Sequence, residues 1–202
     1  PGAQLEMAQI IHDKHMFRIS QKALGYLHPD FEYISKGKDY SVNKVERDLV
    51  IKPSLNSGSR GTTLIKKGTY PLDVQRAIEY AHANSRDGGC LVEERLFGTE
   101  HTVETLIDKN GEFHPCFITD RLFDYTNGAV ETGLRSPSIL PMYLQRKAFE
   151  VAKNMAYDYM IDNSPLKLDI MVTEKGIYVI EATTRMSGGF DCPYLVPAAT
   201  GM

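Results

Sequence analysis

Residues Leu166–Thr183 read LKLDIMVTEKGIYVIEAT, two stretches rich in aliphatic and β-branched residues joined by Glu174-Lys175-Gly176. Such a pattern predicts an antiparallel hairpin. A three-residue loop ending in a glycine at positive φ is a favoured connection. It sets Thr173 against Ile177 and therefore Asp169 directly opposite Glu181. Cross-strand neighbours have Cβ atoms about 4.5–5.5 Å apart, where like charges repel. A divalent cation between the two carboxylates offsets that repulsion, and hard oxygen donors suit Mg²⁺. A two-residue loop instead pairs Asp169 with Ile180 and turns the acids to opposite faces, leaving two unrelated surface carboxylates.

Outward from this hairpin, Leu144, Ala148, Val151, Ala152, Met155, Ala156 and Tyr159 fall on one helical stripe, and Val74, Ala77, Ile78 and Ala81 on another. Gln4–Leu24 has few breakers and reads as one helix, stopped by Gly25 and Pro29. Asp48–Ser54, Thr62–Lys66, Cys90–Leu96, Thr102–Asp108 and Glu112–Phe123 read as strands. Hairpins mixed with helices, rather than regular βαβ alternation, predict an α+β fold with largely antiparallel sheets. The length of 202 residues suits one large domain or two small lobes. With 42% hydrophobic and 24% charged residues, the composition is that of a soluble globular protein. A net charge of −3 gives no electrostatic footprint for nucleic acid. No apolar run approaches the roughly 20 residues that span a bilayer, and no signal-peptide pattern opens the chain. Three scattered cysteines, an odd number, point to reduced thiols and a cytoplasmic location. The chain starts at Pro1 and stops at Gly201-Met202, which reads as a fragment.

Three further stretches carry chemistry. Lys52 sits in an apolar strand just before Ser54–Gly61, SLNSGSRG. That loop offers unhindered backbone N–H groups, the hydroxyls of Ser57 and Ser59 and the Arg60 cation, a set able to wrap phosphates. It is neither a Walker A nor a Rossmann motif, and a merely flexible hairpin loop is the other reading. In Cys90–Glu100, CLVEERLFGTE, a strand end can present backbone groups to an adenine edge and a carboxylate to ribose hydroxyls, or can simply leave the core. In Glu181–Gly189, EATTRMSGG, Arg185 suits bidentate contact with carboxylate or phosphate, beside small residues that allow close backbone approach. A structural arginine–acid pair is the alternative there. The six histidines are dispersed, and His12 with His15 is only an i, i+3 pair.

Taken in order, DKHMFR (13–18), IKPSLNSGSRG (51–61), LVEERLFGTEHTVETLID (91–108) and LKLDIMVTEKGIYVIEATTRMSGGF (166–190) resemble the ATP-grasp superfamily. The likeness is nearest to its carboxylate–amine ligases and its carbamoyl-phosphate-synthase-like branch, and it runs from Asp13 onward. The resemblance implies a core lobe of residues 1–24 and 93–202 and a lid lobe of residues 25–92, with the glycine-rich loop at 56–61. It implies that Lys14 and Lys52 contact ATP phosphates and that Ser57, Gly58, Ser59 and Gly61 belong to a loop closing over them. Glu93, Arg95 and Leu96 resemble the hinge strand that reads adenine, Glu100 the ribose-side acid and Met171 the apolar residue beneath the base. Asp169, Glu181 and Thr183 resemble the ligands of Mg²⁺ (or Mn²⁺), with Thr183 standing where the pattern has asparagine. Arg185 resembles the arginine of the acyl-phosphate step, and Ser187 and Gly188 line the acceptor side. Arg121 and Arg135 reach the cleft if their strands end there, a solvated surface arginine being the other reading for each, and Arg135 alone is taken as a substrate contact. Enzymes of this kind carry an N-terminal α/β domain that helps bind the acceptor, and this chain is expected to begin after it.

The implied activity is an ATP-dependent ligation of a small-molecule carboxylate to an amine through an acyl phosphate, with no nucleic-acid or membrane partner and with oligomers allowed. The alternatives are an ATP-binding regulatory module without turnover and an α+β binding domain with no nucleotide.

Overall fold

The computed structural model describes residues 3–38, 40, 44–124, 130–189 and 191–201. Phe190, the last residue of the motif quoted above, lies outside them. The helices are α1 (Leu5–His12), α2 (Lys14–Leu24), α3 (Pro71–Ala83), α4 (Met142–Asp158) and α5 (Val196–Thr200). The strands are β1 (Phe31–Ile34), β2 (Leu49–Pro53), β3 (Thr63–Ile65), β4 (Cys90–Glu94), β5 (Thr99–Ile107), β6 (Phe113–Asp124), β7 (Val130–Arg135), β8 (Ser164–Thr173) and β9 (Gly176–Thr183).

Two antiparallel sheets result, ordered β1-β4-β2-β3 and β7-β6-β5-β8-β9, so the α+β architecture is as expected. Each sheet buries one face against the helix whose stripe the sequence displays. Val74, Ala77, Ile78 and Ala81 of α3 pack with Ile34, Ile51, Ile65 and Val92. Ala148, Ala152, Met155 and Ala156 of α4 pack with Val103, Ile107, Ile118, Leu166, Leu168 and Ile170, and Ile11 and Phe17 join this second cluster. Alanines on α4 let the helix come close to the bulky sheet residues. Each fully buried Leu or Ile contributes roughly 1.5–3 kcal/mol by leaving water.

One expectation is corrected. Gln4–Leu24 is two helices, because Asp13 leaves the helical region (φ −83°, ψ 108°) and its carboxylate accepts the N–H groups of His15 and Met16 as the N-cap of α2. The strands β1 and β7 carry no clear alternation and were not expected. Strand β4 runs to Glu94 within the first sheet, and the crossing to β5 is Arg95–Gly98. Gly98 is required in that crossing, since a Cβ there would lie 2.1 Å from the carbonyl oxygen of Val172.

The decisive hairpin reaches the expected pairing by an unexpected route. Thr173 pairs with Gly176, so the turn has two residues, the version that would set Asp169 against Ile180. A bulge intervenes between Asp169 and Ile170, Ile180 has no partner in the ladder, and Asp169 pairs with Glu181 after all. The extra residue expected at the turn sits four residues further along the strand.

Replacing the α2 cap, Asp13→Ala, is expected to lower the unfolding free energy by about 1 kcal/mol, read as a lower midpoint in urea at unchanged slope.

Candidate active site

Strand alternation decides which side chains face the space between the sheets. On the second sheet, pairing puts Glu100, Thr102 and Glu104 of β5, Lys167, Asp169 and Met171 of β8, and Glu181 and Thr183 of β9 on one face. The opposite face carries Val103, Leu168 and Ile170, which pack into the core beneath α4.

This polar face meets the first sheet across three adjoining cavities. The first, of about 170 Å³, is walled by Val50, Leu64, Leu96, Phe97, Met171 and Ile180, with Lys52, Glu93, Arg95 and Glu100 at its polar edge. The third, of about 140 Å³, contains Lys14, Lys52, Ser57, Gly58, Ser59, Asp169 and Glu181 together. The second, of about 830 Å³, holds the loop Asn56–Arg60 and continues past Asp169, Glu181 and Thr183 to Arg185. The result is one trough, flat and apolar at one end and strongly polar at the other.

The lysines are held by named contacts. Lys52 and Glu93 pair at 2.7 Å, and Arg18 Nε donates to the other oxygen of Glu93 at 2.8 Å, with all three side chains buried. Burial pushes the Lys52 ammonium down to about 8, against the pull of Glu93. Burial also pushes the Glu93 carboxyl up, but Arg18 and Lys52 outweigh it and hold it below the ordinary range. The Glu93 carboxylate therefore orients Lys52. Lys14, at the start of α2, lies 3.2 Å from Glu181 and donates to the carbonyl oxygen of Asn56 at 2.7 Å, tying the glycine loop to β9. Gly61 closes that loop at φ 81°, where a Cβ would come within 2.6 Å of the Pro53 ring.

The paired acids are each matched by cations. Asp169 accepts from Thr102 Oγ1 at 2.8 Å and Lys167 Nζ at 3.0 Å, and lies 3.4 Å from Arg121. Burial raises the Glu181 carboxyl, but Lys14, Lys52 and Lys167 together lower it below its usual value. Two neighbouring carboxylates and the Thr183 hydroxyl, which donates to the carbonyl of Arg185 at 3.3 Å, form a hard oxygen donor set. That chemistry fits Mg²⁺ or Mn²⁺.

Arg135 is corrected. It pairs with Asp120 at 2.8 Å on the opposite face of the sheet, in register with His101. Arg121, one residue further along β6, faces the trough and meets Asp169, Glu100 and Glu131. A single-residue step flips the face, so the register, unknown in advance, chooses between the two arginines. Ser187 and Gly188 follow Arg185; the Ser187 N–H donates to Glu104 Oε1 at 2.9 Å, and Gly188 is packed beside the Arg185 guanidinium. Lys167 and Arg18 also escaped the sequence reading, although Lys167 is two residues from Asp169 and Arg18 four from Lys14, spacings that share a strand face and a helix face.

Two sheets gripping a trough with a glycine loop over paired acids define a nucleotide-grasping architecture. A family model described as ATP-grasp domain matches residues 45–193. The chain belongs to the ATP-grasp family. No curated protein matches it in sequence. Among solved structures it resembles an L-amino acid ligase from Bacillus licheniformis (TM-score 0.78, 18% identity, covering 100% of this chain and 47% of that one). It also resembles a D-alanine–D-alanine ligase from Bacillus anthracis complexed with ATP (0.73, 17%, 99% and 63%). A third is the VanG D-Ala:D-Ser ligase from Enterococcus faecalis (0.72, 20%, 91% and 55%). This chain thus spans less than two thirds of the length of each of these enzymes. Among the described residues no helix is long and apolar enough to cross a membrane.

Glu93→Ala would leave Arg18 and Lys52 buried side by side without the carboxylate they share. A loss of about 3–5 kcal/mol is expected, measured by chemical denaturation, with a clearly smaller loss in the double variant Glu93→Ala/Lys52→Met.

Proposed function

We propose that this chain is the ATP-binding and bond-forming part of a ligase that joins a small-molecule carboxylate to an amine, or to a similar nucleophile, through an acyl phosphate. The observation that carries the reading is the Asp169–Glu181 pair, in a trough bordered by Lys52 and the glycine loop.

Adenine fits the apolar end between Leu96 and Met171, where Arg95 and Leu96 belong to the crossing segment and Glu100 is placed for ribose hydroxyls. The phosphates then run towards Lys52, Lys14 and the backbone N–H groups of Ser57–Gly61. Asp169, Glu181 and Thr183 would hold Mg²⁺ (or Mn²⁺), which supplies charge neutralisation to the triphosphate. A substrate carboxylate oxygen attacks the γ-phosphorus, the bond to the β-phosphate oxygen breaks, and ADP leaves. An amine then attacks the acyl carbon, phosphate leaves, and the amine gives up a proton. Lys14, Lys52 and Arg185 face charge that accumulates in the first step, so the chain acts chiefly by positioning and electrostatics. Closure of the loop over the phosphates would keep water from the acyl phosphate. Free Cys90, Cys116 and Cys192 suit a reducing, cytoplasmic setting. Thr183, where the family pattern has asparagine, favours one second reading, a module that binds ATP without turnover.

Mg-ATP at 100 times its Kd should stabilise the protein by about 2.7 kcal/mol, seen as a raised thermal midpoint. Lys52→Ala should weaken Mg-ATP binding strongly, and Glu181→Gln should abolish Mg²⁺-dependent turnover; unchanged calorimetric affinity in both variants would remove the site assignment. ADP release with a panel of amino acids and small carboxylates, plus hydroxylamine to trap an acyl phosphate as a hydroxamate, separates ligase from binding module.

The pH dependence has a definite sign. The charged ammonium is the form that attracts phosphate, so affinity for Mg-ATP is full below about 8 and falls as pH rises through that value. Lys52→Arg, whose guanidinium stays charged throughout, should flatten that fall in calorimetric titrations on either side of it.

A further inference from the structure

Alternation along β5 puts Glu104 on the trough face two residues beyond Thr102, where it pairs with Lys167 of β8. Its side chain is fully buried, at 0% exposure. One oxygen, Oε1, accepts the N–H of Ser187 at 2.9 Å, which fixes the carboxylate beneath the turn following Arg185. The other, Oε2, has no hydrogen-bond partner, and neither has the hydroxyl of Thr119, also buried at 0%. Thr119 of β6 pairs with Thr102 of β5 and so shares the face of Glu104, diagonal to it across the ladder. These two are the only buried side-chain polar atoms without a partner among the described residues.

Three other buried acids of the fold have partners. Asp169 has Thr102, Lys167 and Arg121, Glu93 has Arg18 and Lys52, and Asp120 has His101, Arg135 and Ser138. Lys167, the cation nearest to Glu104 in the ladder, gives its ammonium to Asp169. Burial accordingly raises the Glu104 carboxyl. An isolated buried carboxylate oxygen is costly unless something donates to it. A ligand that satisfies both atoms with Glu104 ionised brings positive charge and more than one N–H or O–H donor.

We propose that Glu104 and Thr119 form the subsite for the ammonium group of the amine acceptor, seated under the Ser187–Gly189 turn. The inference rests on the ligase reading above and deepens it, since it assigns where the second substrate sits. An alkylammonium carries one positive charge and three donors, matching one anionic oxygen and one hydroxyl. Ser187, Gly188 and Gly189 carry little side chain, so displacing their turn opens a path to Glu104. The Ser187 contact also places the nitrogen beside the segment bearing Arg185, the end of the trough where an acyl phosphate would form, and the ammonium passes one proton to Glu104 Oε2 before its freed lone pair attacks.

The test compares thermal midpoints of the intact protein in methylammonium chloride and in tetramethylammonium chloride at equal concentration. The second ion has the charge without the donors. Midpoints are taken with Mg²⁺ and a non-hydrolysable ATP analogue, and again without nucleotide. Wild type should be stabilised more by methylammonium, and Glu104→Gln should remove the difference. Thr119→Val should reduce it, and decides the matter should Glu104→Gln fail to fold. Equal midpoints in the two salts for wild type, or a difference that survives intact in the variants, overturns the subsite. Absence of any stabilisation by the nucleotide analogue would count against the ligase reading alone, because the comparison of the two salts stands without it.

Discussion

The trough depends on the guanidinium of Arg18. It donates to Glu93 on the first sheet at 2.8 Å and to the carbonyl oxygen of Ile180 on the second at 2.7 Å, with Gln21 beside it bonded to the carbonyl of Val179. Helix α2 therefore joins two sheets that share no ladder. The same residue accounts for the bulge. Ile180 has no partner in the β8 ladder, and a buried carbonyl left without a donor is unfavourable. Arg18 supplies that donor from the open side of β9, the edge strand of its sheet. Through Ile180 it fixes where the extra residue lies, and hence that Glu181 stands opposite Asp169.

Glu93 passes this order to the other wall. Its two oxygens are divided between Arg18 and Lys52, so the lysine of β2 is aimed by a carboxylate that is itself held by the helix. A buried ion pair is weak evidence for stability, because desolvation offsets much of the attraction. Its use here is better described as register: three charged groups on α2, β4 and β2 satisfy one another in only one arrangement of the elements.

These long-range contacts also mark how far the sequence could be read. Helices α3 and α4 and the long strands were legible because apolar periodicity is a local property. The Asp169–Glu181 pairing was legible only in outcome. The expected glycine bulge and the actual bulge at Ile180 shift the ladder by the same single residue, and the sign of that shift is all the pairing senses. What stayed hidden depended on partners far along the chain. The choice between Arg121 and Arg135 needed the β5–β6 register, and the role of Glu93 needed Arg18, 75 residues away. The break at Asp13 was local and readable, since an aspartate followed by two N–H groups it can accept is an N-cap signature. A continuous helix pattern on both sides concealed it.

The charges around the paired acids bear on what the trough does when nucleotide arrives. Glu181 is balanced by Lys14, and Asp169 by Lys167 and Arg121. The chain supplies its own counter-charges, which lets two carboxylates stand side by side on adjacent strands despite their repulsion. On the ligase reading, Asp169 and Glu181 would hold a divalent ion supplying that neutralisation, which would leave Lys14 to turn from Glu181 towards phosphate, and its bond to Asn56 would carry the glycine loop with it. Metal binding, phosphate binding and loop position would thus be coupled through one side chain. Thr183, weaker than asparagine as a ligand, would leave Asp169 and Glu181 as the groups that drive the exchange.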